Sequence, residues 1–281
     1  MEDCFARAQF CSNSCIHYDC DLTWTGYLIM TGKTEVTACI IIIGNEILSG
    51  RTRDMNISFL GTRLDELGIR LAEARVIPDE ASVIIDTVNE CRRKYDYVFT
   101  TGGIGPTHDD ITAATIARAF NVKLVRSQDA VSRLEKYYEP GNTNEARLRM
   151  ANIPEGARLI DNPVSGAPGF RLDNVFVMAG VPMIMQVMFD GITDQLTSGA
   201  PILTESVATD LSESVLAQDL SKLQGRFPDI NIGSYPYFRK NRLGVNIVMR
   251  ATDSDGLTRL TLEVKEMIAR LQGRIVDESI R

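Results

Sequence analysis

The segment Tyr97-Val98-Phe99-Thr100-Thr101-Gly102-Gly103-Ile104-Gly105-Pro106-Thr107-His108-Asp109-Asp110-Ile111-Thr112 decides how the chain reads. Residues 97–101 are apolar or β-branched, the composition of a buried strand. They run straight into Gly102, Gly103 and Gly105, and helical spacing follows at Ile111, Ala114, Ala117 and Phe120. Open parallel α/β sheets place their ligands at such a junction, at the carboxyl end of a strand.

The same alternation extends in both directions. Upstream, residues 38–43 are an unbroken apolar run ending in Gly44, which predicts a parallel strand buried on both faces. Ile57, Leu60, Leu64 and Leu67 predict a helix closed by Gly68. Residues 71–77 read as a strand, and Asp79 of Pro78-Asp79-Glu80 is placed to N-cap the next helix. Downstream, 121–170 is less regular, with helices expected near 128–138 and 144–150. Residues 175–179 read as a core strand. Pro182 then opens a helix expected to turn Ile184, Val187, Met188 and Ile192 inward. The fold class is α/β, a mainly parallel sheet with helices on both faces.

Thr197-Ser198-Gly199-Ala200-Pro201 reads as a linker. Beyond it the order is β-α-β-β-α-β, the split-βαβ arrangement of small α+β domains. Strands are expected at 202–209, 231–235, 244–251 and 274–277, and helices at 211–224 and 255–272. The domains are therefore 36–198 and 201–281, preceded by a leader over 1–35.

Composition bounds what the chain does. Its 281 residues hold 30 Lys+Arg against 37 Asp+Glu, a net charge of −7, and 44% are hydrophobic. That is ordinary globular composition, and the acidic balance argues against a nucleic-acid partner. The longest purely apolar run, 38–43, is far short of the roughly 20 residues that span a bilayer. Four of the six cysteines, Cys4, Cys11, Cys15 and Cys20, fall in the leader. With His17 they allow a zinc reading, but no C-x-x-C pair supports it. The leader lacks a signal-peptide pattern and is expected to be disordered, with Met30 as an alternative start. A reduced, cytoplasmic setting is the expectation.

The glycine loop suggests chemistry. Without Cβ atoms, the backbone amides of residues 102–105 can approach a phosphate, and the following helix start favours negative charge. Thr101, Gly102, Gly103, Gly105, Pro106 and Thr107 are the candidate phosphate-binding residues. No Lys-Ser/Thr follows, so this is not a P-loop. Asp109 and Asp110 beside bound phosphate would repel it unless a cation sat between them, so both are candidate metal ligands. Oxygen donors favour a hard divalent cation, magnesium or manganese, with cobalt a further candidate. Asn45, Glu46, Ser49, Asp54 and Asn56 follow the first strand and emerge at the same sheet edge. Asp54 also suits a plain helix cap. His108 is a candidate acid or a surface histidine.

These residues resemble a known family. Ile43-Gly44-Asn45-Glu46-Ile47-Leu48-Ser49-Gly50, Val76-Ile77-Pro78-Asp79-Glu80 and the 101–112 loop are similar to the molybdopterin-binding (MoaB/Mog-like) domain. The resemblance continues through Asn144-Glu145-Ala146-Arg147, Asn162-Pro163, Ala167-Pro168-Gly169 and Ala179-Gly180-Val181-Pro182. It is closer to the amino-terminal region of the competence/damage-inducible protein A (CinA) family, and it extends to the amino-terminal domain of eukaryotic FAD synthases. Residues 201–281 look like the KH-type domain of CinA proteins, but they hold no G-x-x-G loop for RNA. Lys222, Arg226, Arg239, Lys240 and Arg242 make a modest basic cluster, read as a solvated face. Neither the nicotinamide-nucleotide amidase domain nor an FAD-synthesising domain is recognised, so neither activity is carried over. The resemblance implies a homo-oligomer, functional aspartates at Asp79 and Asp110, and metal-assisted hydrolysis of a nucleotide diphosphate linkage of ADP-ribose or FAD type. Asp110, Asp79 and Asp109 are thus the candidate catalytic residues. The alternatives are a pterin-binding protein without turnover and a regulatory scaffold.

Overall fold

The computed structural model describes residues 35–138, 142–239 and 242–276. The four leader cysteines, His17, Met30 and Lys240 lie outside them.

The chain begins with β1 (Val36–Ile43), followed by α1 (Asn45–Leu48), α2 (Asn56–Glu66), β2 (Ile69–Ile77), α3 (Ala81–Lys94), β3 (Tyr97–Thr101) and α4 (Thr112–Ala119). Next come β4 (Leu124–Arg126), α5 (Gln128–Tyr137), α6 (Glu145–Leu148), a single 3-10 turn Arg149–Ala151, β5 (Asn152–Pro154), β6 (Arg158–Ile160) and β7 (Gly169–Leu172). Then β8 (Val175–Met178) leads into α7 (Pro182–Asp190). The main sheet has the order β2-β1-β3-β8-β7-β6. The first four strands are parallel, and β7 and β6 join antiparallel.

Both faces of β1 are covered, which is why its sequence is an unbroken apolar run. Ala38, Ile40 and Ile42 face Leu60 and Leu64 of α2 and Met185, Met188 and Phe189 of α7. Cys39, Ile41 and Ile43 face Ile84 and Val88 of α3 and Ile116 of α4. Phe99 stacks with Phe176 at 5.2 Å and meets Phe189 edge-on at 5.5 Å. Each buried Ile, Leu, Val, Met or Phe among them contributes about 1.5–3 kcal/mol. The buried thiols of Cys39 and Cys91 lie 3.5 Å apart, both reduced.

Two expectations change and one holds. On α4 the buried positions are Thr112, Thr115, Ile116 and Ala119 as well as Ala117, while Ala114 is exposed, so the buried face is rotated from the one the apolar spacing marked. On α7, Met185 and Phe189 turn inward and Val187 is exposed. Gly68 does follow α2, in the left-handed conformation at φ +67°, where a Cβ would strike the Ala200 carbonyl at 2.5 Å.

The second domain holds β9 (Leu203–Thr209), α8 (Glu213–Arg226), β10 (Asn231–Arg239), β11 (Arg242–Ala251), α9 (Ser254–Arg270) and β12 (Ile275–Val276). Its sheet order is β10-β11-β9-β12, every pair antiparallel. Leu216, Leu223, Val245, Ile247, Leu260 and Val264 fill its own core. Arg226 pairs with Glu263 at 2.6 Å, and Lys222 with Asp219 at 3.0 Å, so neither offers a free cation. Arg250 reaches across to Asp65 on α2. Among the described residues no helix is long and apolar enough to cross a membrane.

Candidate functional site

Gly44, Gly102 and Gly180 each stand just past the carboxyl ends of β1, β3 and β8, which are neighbours in the sheet. At Gly102 the chain passes so close to β1 that a Cβ would lie 2.1 Å from the Ile43 carbonyl oxygen, and φ is +105°. Only glycine fits there. Gly102 N–H donates to the Met178 carbonyl at 3.2 Å. Thr112 closes the turn, its amide donating to Gly103 O at 3.0 Å and its hydroxyl to Gly102 O at 3.0 Å.

Asp110 then folds the loop upon itself. Its carboxylate accepts from the Gly105 amide at 2.7 Å, the Thr107 amide at 2.8 Å and the Thr107 hydroxyl at 2.5 Å. Asp109 accepts from the same hydroxyl at 2.6 Å. Thr107 Oγ1 has one proton for two carboxylates, so one of the two contacts is oxygen against oxygen. The Thr107 hydroxyl also holds the Asp109 carboxyl below the usual carboxylate range.

The expected cradle is therefore narrower than the glycines suggest. Gly102 and Gly105 spend their amides inside the protein. Among the described residues the amides of Gly103 and Ile104 have no protein acceptor, and both residues line a cavity of about 120 Å³. Gly105, Thr107, His108 and Asp110 line it too, with Arg149 and Asn152. This is well below the roughly 300 Å³ of a whole small-molecule pocket, so it admits a phosphoryl group rather than an entire nucleotide.

The other candidates lie along the same edge without lining that cavity. Asp79 does not cap α3: its carboxylate accepts from the Asn45 amide at 2.9 Å and ties two loops together. Asp54 stands one residue before the N-cap Met55 and accepts from the Ile57 amide at 2.9 Å, tying down the first turn of α2. Asn56 is 2% exposed and donates to the Gly180 carbonyl at 2.9 Å, so it braces the edge from inside. Thr101 is buried, and among the described residues its hydroxyl has no partner. Glu46 is exposed and folds back over Gly44, and the exposed Ser49 donates to Glu46 O at 3.2 Å. The carbonyl of Pro106 accepts from Arg149 Nη2 at 2.7 Å. His108 projects into solvent, its ring 3.9 Å from Asp109. Sequence reading missed Arg149 and Asn152: no spacing pattern links them to a loop some forty residues earlier. The helix expected near 144–150 and the Asn144–Arg147 resemblance pointed to that segment, but neither singled out Arg149.

Fold and site define a class: an open α/β domain with loops converging at the carboxyl ends of its central strands, joined to a small antiparallel α+β domain. Residues 39–198 match the family described as "Probable molybdopterin binding domain", and residues 201–276 match "FAD synthase, middle domain". The chain is 33% identical over 258 residues to the "Probable FAD synthase" of Caenorhabditis briggsae, covering 83% of this chain and 49% of that protein. It is 33% identical over 223 residues to a "CinA-like protein" of Citrifermentans bemidjiense, covering 77% of this chain and 54% of that one. It thus spans about half the length of these relatives. The crystal structure of CinA from Thermoplasma acidophilum, itself described as of unknown function, aligns with TM-score 0.55 and 32% identity, over 58% of this chain and 98% of that one. The chain belongs to the molybdopterin-binding-domain family and is similar to both its CinA-like and its FAD synthase members.

Proposed function

We propose that the loop edge binds the diphosphate of a nucleotide of ADP-ribose or FAD type and hydrolyses its linkage with a divalent cation. The observation behind this reading is the pair Asp109 and Asp110, both within 2.6 Å of one Thr107 hydroxyl at the rim of a phosphoryl-sized cavity. Two anions sharing one proton gain from a cation between them. The donor set fits a magnesium-type ion. Among the described residues no three acidic, histidine or cysteine side chains gather as a closed metal cage. Magnesium typically takes one or two carboxylates and completes its shell with water and substrate phosphate oxygens. Bound there, the cation supplies Lewis-acid polarisation of the phosphoryl oxygens.

The chain's own groups do the rest. The free amides of Gly103 and Ile104 hold a phosphate oxygen, and Asp110 keeps the loop in the shape that points them into the cavity. Asp79 fixes the neighbouring loop through the Asn45 amide. His108 is free to swing towards the departing phosphate. Uptake of a pterin without turnover is the second reading, favoured by the family description of residues 39–198.

The test incubates the full chain with ADP-ribose, FAD and NAD, with and without magnesium, manganese or cobalt, and quantifies AMP. Metal-dependent AMP release that is lost in Asp110→Ala is the expected result. No AMP from any combination overturns the hydrolase reading and leaves pterin uptake, measured by calorimetry.

A further inference from the structure

Arg149 occupies the single 3-10 turn between α6 and β5 and, with Asp110, lines the glycine-loop cavity. Its one protein hydrogen bond among the described residues is the 2.7 Å donation to Pro106 O. A guanidinium has five N–H donors in a rigid fork, so most of its capacity is unspent. Among the described residues no carboxylate forms an ion pair with it. The acid four positions earlier, Glu145, is held by both terminal nitrogens of Arg126, at 2.5 and 3.2 Å. Arg149 is thus an exposed cation without an ion-pair partner among the described residues, within electrostatic reach of Glu145, anchored at the rim of a cavity lined also by Gly103 and Ile104.

The cavity has room for one phosphoryl group beside Gly103 and Ile104, and the exposed Arg149 stands at its rim, where a following phosphoryl group would lie outside it. We propose that the amides take one phosphoryl group and Arg149 grips the second, which makes the site selective for diphosphates over monophosphates. This rests on the nucleotide reading above but not on turnover. A planar fork suits two phosphate oxygens at once, which a lysine ammonium matches only as a point charge.

The experiment measures ADP and AMP binding to the full chain by calorimetry, with and without magnesium, for wild type, Arg149→Gln and Arg149→Lys. Gln is two bonds shorter than Arg and loses both the charge and the tie to the Pro106 carbonyl, so the ADP-to-AMP ratio, rather than the affinity for either alone, is the readout. The expected result is that Arg149→Gln weakens ADP about tenfold to a hundredfold. AMP is unaffected, and Lys recovers part of the loss. Equal losses for both nucleotides, or none, overturn the proposal, because a merely structural role does not change their ratio. Wild-type preference for ADP that Arg149→Gln abolishes, without AMP release from ADP-ribose, supports this inference and removes the hydrolase reading. AMP release with an ADP preference that survives Arg149→Gln does the reverse. Wild type that binds neither nucleotide overturns both.

Discussion

On the edge strand β2, Glu73 meets Arg75 at 2.6 Å and Lys94 at 3.0 Å, and Glu90 of α3 meets Arg75 at 2.6 Å. At the loop edge of the same sheet, Asp79, Asp109 and Asp110 meet amides and a hydroxyl, and among the described residues no lysine or arginine pairs with them. The first group is charge-balanced within the protein and needs nothing more. The second is held by amide and hydroxyl dipoles, with only the solvent-facing His108 near Asp109, so most of its charge is left over. Carboxylates that exist to support a fold are paired by that fold; those left unpaired at the converging ends of parallel strands are where an outside cation or ligand completes the balance.

The comparison breaks most severely at Gly102. Alanine there forces a Cβ to 2.1 Å from Ile43 O at a φ of +105°. The expected loss is about 3 kcal/mol, seen as a fall in Tm with ligand binding lost. A variant as stable as wild type would mean that β1 and β3 need not approach so closely. Asp110→Asn comes next. It keeps the shape but turns one acceptor into a donor against the loop amides, so stability falls by about 1–2 kcal/mol. AMP release falls about a hundredfold or more, measured in the same assay as wild type. Full turnover would show that its charge is surplus. Asp79→Asn retains an oxygen for the Asn45 amide and removes only the charge. Release about tenfold lower, with Tm unchanged, separates a charge at work from a mere tie between loops; unchanged release leaves the tie.

The central strands were legible because a sheet buried on both faces demands continuous apolar runs, and Ile40 to Ile43 is short, β-branched and closed by Gly44, which separates it from a buried helix. The strand-glycine-helix junction at 97–112 was legible for the same local reason. What escaped depends on contacts distant in sequence. β4 to β7 have three or four residues each, too few for a period to register. Asp79 stood where a cap should stand, but the Asn45 amide, 34 positions away, competes for its oxygen and wins. Three glycines promised a row of free amides, but Asp110 and Met178 consume two of them. Arg149 reaches the site from 43 positions beyond Pro106.

Glu73 supplies the smallest and most diagnostic effect. Arg75, then Tyr95 and Lys94, hold its carboxyl down to about 2. The folded protein therefore resists the proton that the unfolded chain accepts near pH ~4.3. Its contribution to stability is complete above that value and disappears as pH falls towards about 2. Such partly exposed pairs contribute about 1 kcal/mol or less, or about 2–4 °C in Tm for a domain of this size. Glu73→Gln should melt below wild type by that margin at pH 7, and the two curves should converge as the pH approaches 2. AMP release at pH 7 should be the same for both. A gap that persists in acid would mean that the side chain acts through packing rather than charge. An activity loss in Glu73→Gln would break the separation between the balanced acids of β2 and the unbalanced acids of the loop.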